Sequence, residues 1–276
     1  MKKTICIILA VILLSLCSCT PQEKSDFIIV ASCYPVYIIT QNLVKDIEGI
    51  TLLNMTENHG GCLHDYSLTN EDMKKLADCD MFIINGAGME PFLEDVASKI
   101  PGINIKDASV GSTLIENNSH YWLSVDNVIE ECKTIYTAIV AVLPAYADVM
   151  AVRYNDYVNN LYELKEKPNL EGQRFVSFHE GFDYLIADTG ATIVKTIETD
   201  SGVEPGAKEI AEICDIVNNE NITAILVPTD YTGTAANTIQ KETGIKIILL
   251  DPITSGNNEL NSYINSMKQN YQNLGA

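Results

Sequence analysis

The stretch Val125–Lys167, VDNVIEECKTIYTAIVAVLPAYADVMAVRYNDYVNNLYELKEK, decides how this chain is divided. Val125, Val128, Ile129, Cys132, Ile135, Tyr136, Ile139 and Leu143 recur at helical spacing, and Pro144 interrupts the run. A second stripe follows over residues 146–167, carried by Tyr146, Val149, Met150, Tyr157, Leu161 and Leu164. At the rise of an α-helix that segment would be about 33 Å long, enough to cross between two lobes.

The two flanks follow one grammar. Before the helical stretch, apolar runs at 27–33, 50–55, 80–85 and 102–106 predict strands, with helices over 36–47, 69–78 and 91–100 between them. After it, strands at 173–178, 191–197, 223–227 and 246–250 alternate with helices over 182–188, 206–219, 233–243 and 258–273. Thr69 and Asp72 have capping-box spacing, and Pro205 suits the first turn of a helix. Strands alternating with helices imply parallel sheets covered on both faces. The expected fold is therefore α/β, with two lobes, each a four-stranded parallel sheet flanked by helices, joined by a long rigid helix. The expected lobes span residues 26–143 and 168–276, with the linker helix at 144–167. A single larger domain carrying an insertion is the alternative.

The N-terminus is a targeting segment. Lys2 and Lys3 precede an apolar run, Ile5–Leu16, too short to span a bilayer comfortably. It ends in Leu16-Cys17-Ser18-Cys19, which resembles the bacterial lipobox. That resemblance implies a signal peptide over 1–18, lipidation of Cys19, and a lipidated tether over 19–25. An ordinary secretory signal cut near Pro21 is the alternative. Two acyl chains suffice for stable anchoring.

Removing residues 1–18 takes away two lysines, leaving 16 basic against 37 acidic residues and a formal charge of −21. So acidic a surface argues against nucleic acid and against polybasic membrane contact. Beyond the signal segment, Cys33, Cys62, Cys79, Cys132 and Cys214 are odd in number and show no C-x-x-C spacing, so they do not form a disulfide framework. Each is expected to be a small buried hydrophobe. Cys33 and Cys62 fall near the ends of adjacent strands, where a disulfide or a soft metal ligand is the alternative.

Three of the four histidines border apolar stretches: His64 in GGCLHDY, His120 in NSHYWLS and His179 in FVSFHEGF. Asp251 in IILLDP occupies the same kind of position. They follow the second, fourth, fifth and eighth expected strands, and ligands of open parallel sheets bind beyond the carboxyl ends of strands. Three neutral imidazoles and one carboxylate suit a four-coordinate Zn²⁺ site. Taken singly, each histidine has an ordinary structural reading, and Asp251 before Pro252 reads as a turn residue. His59, in NHGG, is read as a surface loop residue, and Trp122 as packing beneath the site.

The motifs ASCYPVY (31–37), HDY (64–66), NGAGME (85–90), HYWLS (120–124), FHEGF (178–182), VEPG (203–206) and LDP (250–252) together resemble the bacterial ABC-importer substrate-binding proteins for zinc and manganese, solute-binding protein family 9. The resemblance covers essentially all of the mature chain. It implies that His64, His120, His179 and Asp251 ligate the metal, with histidine at the third position favouring Zn²⁺ over Mn²⁺. Unlike many zinc-type members, residues 107–119 are short and lack histidine, so an accessory metal-collecting loop is not expected. The implied role is extracytoplasmic capture of Zn²⁺ and delivery to an ABC permease and its ATPase. The implied protein is a monomer on the outer face of the cytoplasmic membrane, held to the bilayer by its lipid. Two rival readings exist. A secreted zinc hydrolase would use Asp251 or Glu180 as general base, but the chain has neither H-E-x-x-H nor a paired-metal carboxylate cluster. An adhesin role in cell adhesion is compatible with surface display but names no chemistry. No phosphate-binding G-x-x-x-x-G-K-[ST] loop is present, so the chain itself is not the ATPase.

Overall fold

The structure is a computed structural model that describes residues 26–57, 66–187, 189–197 and 204–275. The N-terminal half runs β1 (Phe27–Ala31), α1 (Tyr34–Val44), β2 (Ile50–Asn54), α2 (Asn70–Asp78), β3 (Met81–Ile84), α3 (Leu93–Lys99) and β4 (Ile105–Asp107). Then come α4 (Val125–Val142) and α5 (Ala147–Tyr162). The C-terminal half runs β5 (Arg174–Ser177), α6 (Phe182–Ile186), β6 (Thr192–Thr196), α7 (Ala207–Asn219), β7 (Ala224–Pro228), α8 (Ala235–Thr243), β8 (Lys246–Leu250) and α9 (Ser262–Leu274). Two four-stranded parallel sheets result, ordered β2-β1-β3-β4 and β6-β5-β7-β8. The two halves thus share one strand order.

Local chemistry sets the element boundaries. Thr69 and Asp72 form the expected reciprocal capping box on α2. Helix α1 starts at Tyr34, two residues before the expected start, because Pro35 fits its first turn. Pro205 does not occupy the first turn of α7; it precedes Gly206, the N-cap. The neighbouring Glu204 instead reaches a different helix. Its carboxylate accepts the amides of Thr234 and Ala235 at the start of α8 and the Tyr231 hydroxyl. Pro144 turns the chain, so that the axes before and after it differ by 120°. The α-helical part after this bend is Ala147–Tyr162, with 3₁₀ turns at Pro144–Tyr146 and Glu163–Lys165. Folded back, α5 packs against both α4 and α1. Among the described residues, no single helix is long and apolar enough to cross a membrane.

Strand alternation divides the interior. Phe175, Ala224, Leu226, Ile248 and Leu250 face a core shared with β1, β3, α1 and α4. Their neighbours Val176, Ile225 and Val227 face the other way, into a smaller cluster with Ile213 and Ile239 of α7 and α8. The shared core joins the halves, and polar bonds reinforce it. The Tyr34 hydroxyl lies 2.7 Å from both the Asn257 carbonyl and Ser262 Oγ. The Trp122 indole N–H donates to the Pro252 carbonyl (3.0 Å), and the Tyr263 hydroxyl to the Trp122 carbonyl (2.8 Å). Gly256 lies so close that a Cβ there would meet the Tyr34 hydroxyl at 2.4 Å.

Glu131 is an exception within this core. It sits on α4, fully buried, and neither carboxylate oxygen has a hydrogen-bond partner. Burial pushes its pKa well above the ordinary glutamate value. A carboxyl whose folded-state pKa is raised binds its proton more tightly folded than unfolded. Stability is therefore lost as pH rises above the unfolded value of about 4.3. Glu131→Met is expected to stabilise the protein by about 1–3 kcal/mol at pH 7.5, by removing an unsatisfied buried group. The gain should shrink toward pH 4.5, as read by denaturant melts across that range; an unchanged or lower stability at pH 7.5 would contradict it.

Candidate metal centre

A segment following a strand of each sheet meets its counterpart where His120 and His179 touch. His120 follows β4 at the end of a short loop and precedes a 3₁₀ turn, Tyr121–Leu123, whose three residues are buried. His179 lies two residues beyond β5. The two rings pack edge to face with centroids 4.7 Å apart. Both are nearly excluded from solvent, at 0% and 4% exposure. Two imidazoles bound to one tetrahedral ion place their centroids roughly 5 Å apart, so this spacing already approximates a shared ligand pair.

Gly181 makes that approach possible. A Cβ at this position would lie 2.8 Å from His120 Cβ and 2.8 Å from His179 Cε1. No side chain larger than hydrogen fits without displacing a ring.

Hydrogen bonds orient each ring. His120 Nδ1 lies 3.1 Å from both Asn118 Oδ1 and Glu180 Oε1. Both are acceptors, so the neutral ring carries its proton on Nδ1 and keeps the Nε2 lone pair. A carboxylate behind a ligating imidazole is the usual device for fixing tautomer and basicity. His179 is set the other way: its Nδ1 accepts the Gly181 amide at 3.0 Å. To ligate through Nε2, His179 must give up that bond. The loop behind His120 is held by Asn85, whose side chain donates to the Ser119 carbonyl and whose carbonyl accepts the Tyr121 hydroxyl. Glu90 in turn accepts the Asn85 and Gly86 amides and the Ser32 hydroxyl. Burial, aided by Asp107, pushes the Glu90 carboxyl up to about 7 against those three donors. The NGAGME motif is thus a brace for the His120 segment.

Asp251 stands one residue beyond β8. Its Oδ1 accepts the Ile253 amide (2.8 Å), and its Oδ2 accepts the Ser266 hydroxyl (2.6 Å). It is joined to the histidine pair through Pro252 and Trp122, whose ring centroid is 5.0 Å from that of His120. Trp122 therefore packs beside His120, as expected. His64 and His59 lie outside the described residues, as do Cys62 and Cys19. The structure therefore brings two of the four expected ligands into contact. Among the described residues, no three His, Cys, Asp or Glu side chains converge on one point. Cys33 is a buried free thiol, and burial first, then Glu90, raises its pKa. Cys132 is buried, whereas Cys79 and Cys214 are only partly so.

Sequence reasoning missed the roles of Glu180, Gly181 and Asn118. The adjacency of His179, Glu180 and Gly181 in FHEGF was the only available signal. Asp230, just beyond β7, was also missed; desolvation and the Asp251 charge push its carboxyl up.

Comparisons with known proteins place this geometry. The sequence profile of the family described as zinc-uptake complex component A, periplasmic, matches residues 29–276. The zinc-binding lipoprotein AdcA of Streptococcus pneumoniae is 25% identical over 99% of this chain. The chain spans 60% of that relative's length. The Zn(II)-bound ZnuA-like domain of S. pneumoniae AdcA superposes with a TM-score of 0.77 at 25% identity, covering 91% of this chain and 98% of that domain. The substrate-binding protein FpvC of Pseudomonas aeruginosa, in complex with Ni²⁺, superposes with a TM-score of 0.81 at 25% identity, covering 91% of this chain and 96% of that one.

The contact at Gly181 gives a direct test. Gly181→Ala should force the rings apart and lower the affinity for added Zn²⁺ by about 10-fold or more, a loss typical when the support of a ligand is disturbed. Far-UV circular dichroism of the metal-free protein should be unchanged. Wild-type affinity in the variant would show that the ring pair plays no part in binding.

Proposed function

The chain belongs to the zinc-uptake complex component A family, and from that premise we propose that it is a Zn²⁺-binding protein of an ABC importer, not an enzyme. It captures Zn²⁺ outside the cytoplasmic membrane and hands it to a permease driven by an ATPase. The observation that carries the reading is the buried contact between His120 and His179, one from each half. An ion held by both rings is bound by both lobes at once, so its capture and release are tied to their junction. His64 and Asp251 complete the shell in this proposal. Three neutral imidazoles and one carboxylate close a tetrahedral site and leave no position for an activated water, which suits carriage better than hydrolysis. The zinc named for AdcA and its ZnuA-like domain supports this choice.

Residues 1–18 act as a lipoprotein signal peptide in this reading, and Cys19 carries the lipid that anchors a monomeric carrier to the bilayer. The boundaries 26–143, 144–167 and 168–276 serve as its two metal-binding lobes and their linker. Cys19→Ala should abolish lipid labelling and release the protein from membranes; unchanged labelling would refute the anchor.

The metal assignment is tested on metal-stripped protein. Zn²⁺ at about 1,000 times its dissociation constant should stabilise the fold by about 4 kcal/mol. His64→Ala, His120→Ala, His179→Ala and Asp251→Ala should each reduce that shift sharply. If all four kept wild-type affinity, the site would lie elsewhere. Nitrogen ligands and four-coordination favour Zn²⁺ over Mn²⁺. In a competition titration Zn²⁺ should therefore displace equimolar Mn²⁺, and the reverse result would make the protein a manganese carrier.

A further inference from the structure

Asp251 is held more firmly than a turn residue requires. Asn270 on α9 clasps its backbone from both sides: Asn270 Oδ1 accepts the Asp251 amide (2.7 Å), and Asn270 Nδ2 donates to the Asp251 carbonyl (2.9 Å). One helical turn earlier on the same helix, Ser266 Oγ donates to Asp251 Oδ2 at 2.6 Å. The other carboxylate oxygen accepts the Ile253 amide at 2.8 Å. Ile253 stands at φ 56°, the left-handed region, which a β-branched residue adopts only under strain. Such strain persists where the surroundings over-determine it. Here the Trp122 indole, donating to the Pro252 carbonyl, fixes the peptide that aims the Ile253 amide. Every freedom of the carboxylate is therefore restrained: its backbone by Asn270, one oxygen by a strained amide, and the other by a hydroxyl.

These restraints bear on how many oxygens Asp251 can give a cation. Zn²⁺ is satisfied by one carboxylate oxygen in a four-coordinate shell, whereas Mn²⁺ prefers more oxygen ligands. Chelation through both oxygens needs the carboxylate plane to adapt to the ion and both oxygens to share their electron density with it. The Ser266 hydroxyl opposes each change. It fixes the carboxylate plane and draws electron density from Oδ2.

We propose that Ser266 is a positioning residue that sets the metal preference of the site, by holding Asp251 to coordination through one oxygen. The proposal rests on the reading of Asp251 as a ligand. Ser266 lies on α9, away from every expected ligand in sequence, and no motif singled it out.

The test uses Ser266→Ala, Ser266→Thr and Asp251→Ala in the mature chain, with Zn²⁺, Mn²⁺ and Co²⁺ as probes. Ser266→Ala should keep the metal-free fold by far-UV circular dichroism, with a small loss of melting temperature from the missing hydrogen bond. It should narrow the ratio of Zn²⁺ to Mn²⁺ affinity by about 10-fold, the scale on which outer partners of ligands act. The visible absorption of bound Co²⁺ should weaken as its coordination number rises. Ser266→Thr, which keeps the hydroxyl, should restore both the ratio and the spectrum. An equal loss of affinity for both metals with an unchanged Co²⁺ spectrum would overturn the proposal, because a mere anchor between α9 and β8 predicts that result. A wild-type ratio and spectrum in Ser266→Ala, with Zn²⁺ binding lost in Asp251→Ala, would overturn it too while leaving Asp251 a ligand. Wild-type Zn²⁺ affinity in Asp251→Ala would instead remove the reading beneath it.

Discussion

The structure depends on one constraint: one face of the second sheet is buried in the same core as the whole first sheet. Phe175, Leu226 and Leu250 of the second sheet join one buried cluster that also takes in both faces of the first sheet, Phe82 from one and Ile83 from the other. Apolar burial stabilises in proportion to the area removed from water, so separating the halves would expose this interior at a high free-energy cost. The segments after β4 and β5 that carry His120 and His179 are thereby held against each other. The histidine pair is a consequence of that arrangement. Gly181 permits the contact, and Asn118, Glu180 and Tyr184 stitch the same seam with bonds of 2.7 to 3.1 Å.

Polar groups around the seam divide into two kinds. Some place a candidate ligand directly, as Glu180 does for His120 and Ser266 for Asp251. Others brace a loop one step behind, as Glu90 does through Asn85 for the segment that carries His120. The second kind works only in a dry interior, where a charged carboxylate stays costly even with three donors, which is why Glu90 is raised toward neutrality. Glu131 shows the limiting case, a buried carboxyl without any donor. Motifs of similar appearance thus serve different ends. NGAGME braces the site, whereas Glu204 of VEPG caps α8.

Sequence periodicity alone determined the α/β class, the eight strands, the doubled grammar of the halves and the break at Pro144. It did so because burial on a sheet or helix face repeats every few residues and is written locally. The capping box at Thr69 was readable for the same reason, since its partners stand three residues apart. The strand-end positions of His179 and Asp251 followed from that same alternation, whereas His120 stands at the end of the loop that follows β4. What only the tertiary structure decided is which of these groups meet and what holds them. The His120–His179 contact, the Glu180 carboxylate behind His120, the Ser266 hydroxyl on Asp251 and the unpaired Glu131 all join segments that lie far apart in the chain or that only packing can bury. No local pattern encodes such pairs, because their distances are set by how the two sheets share one core.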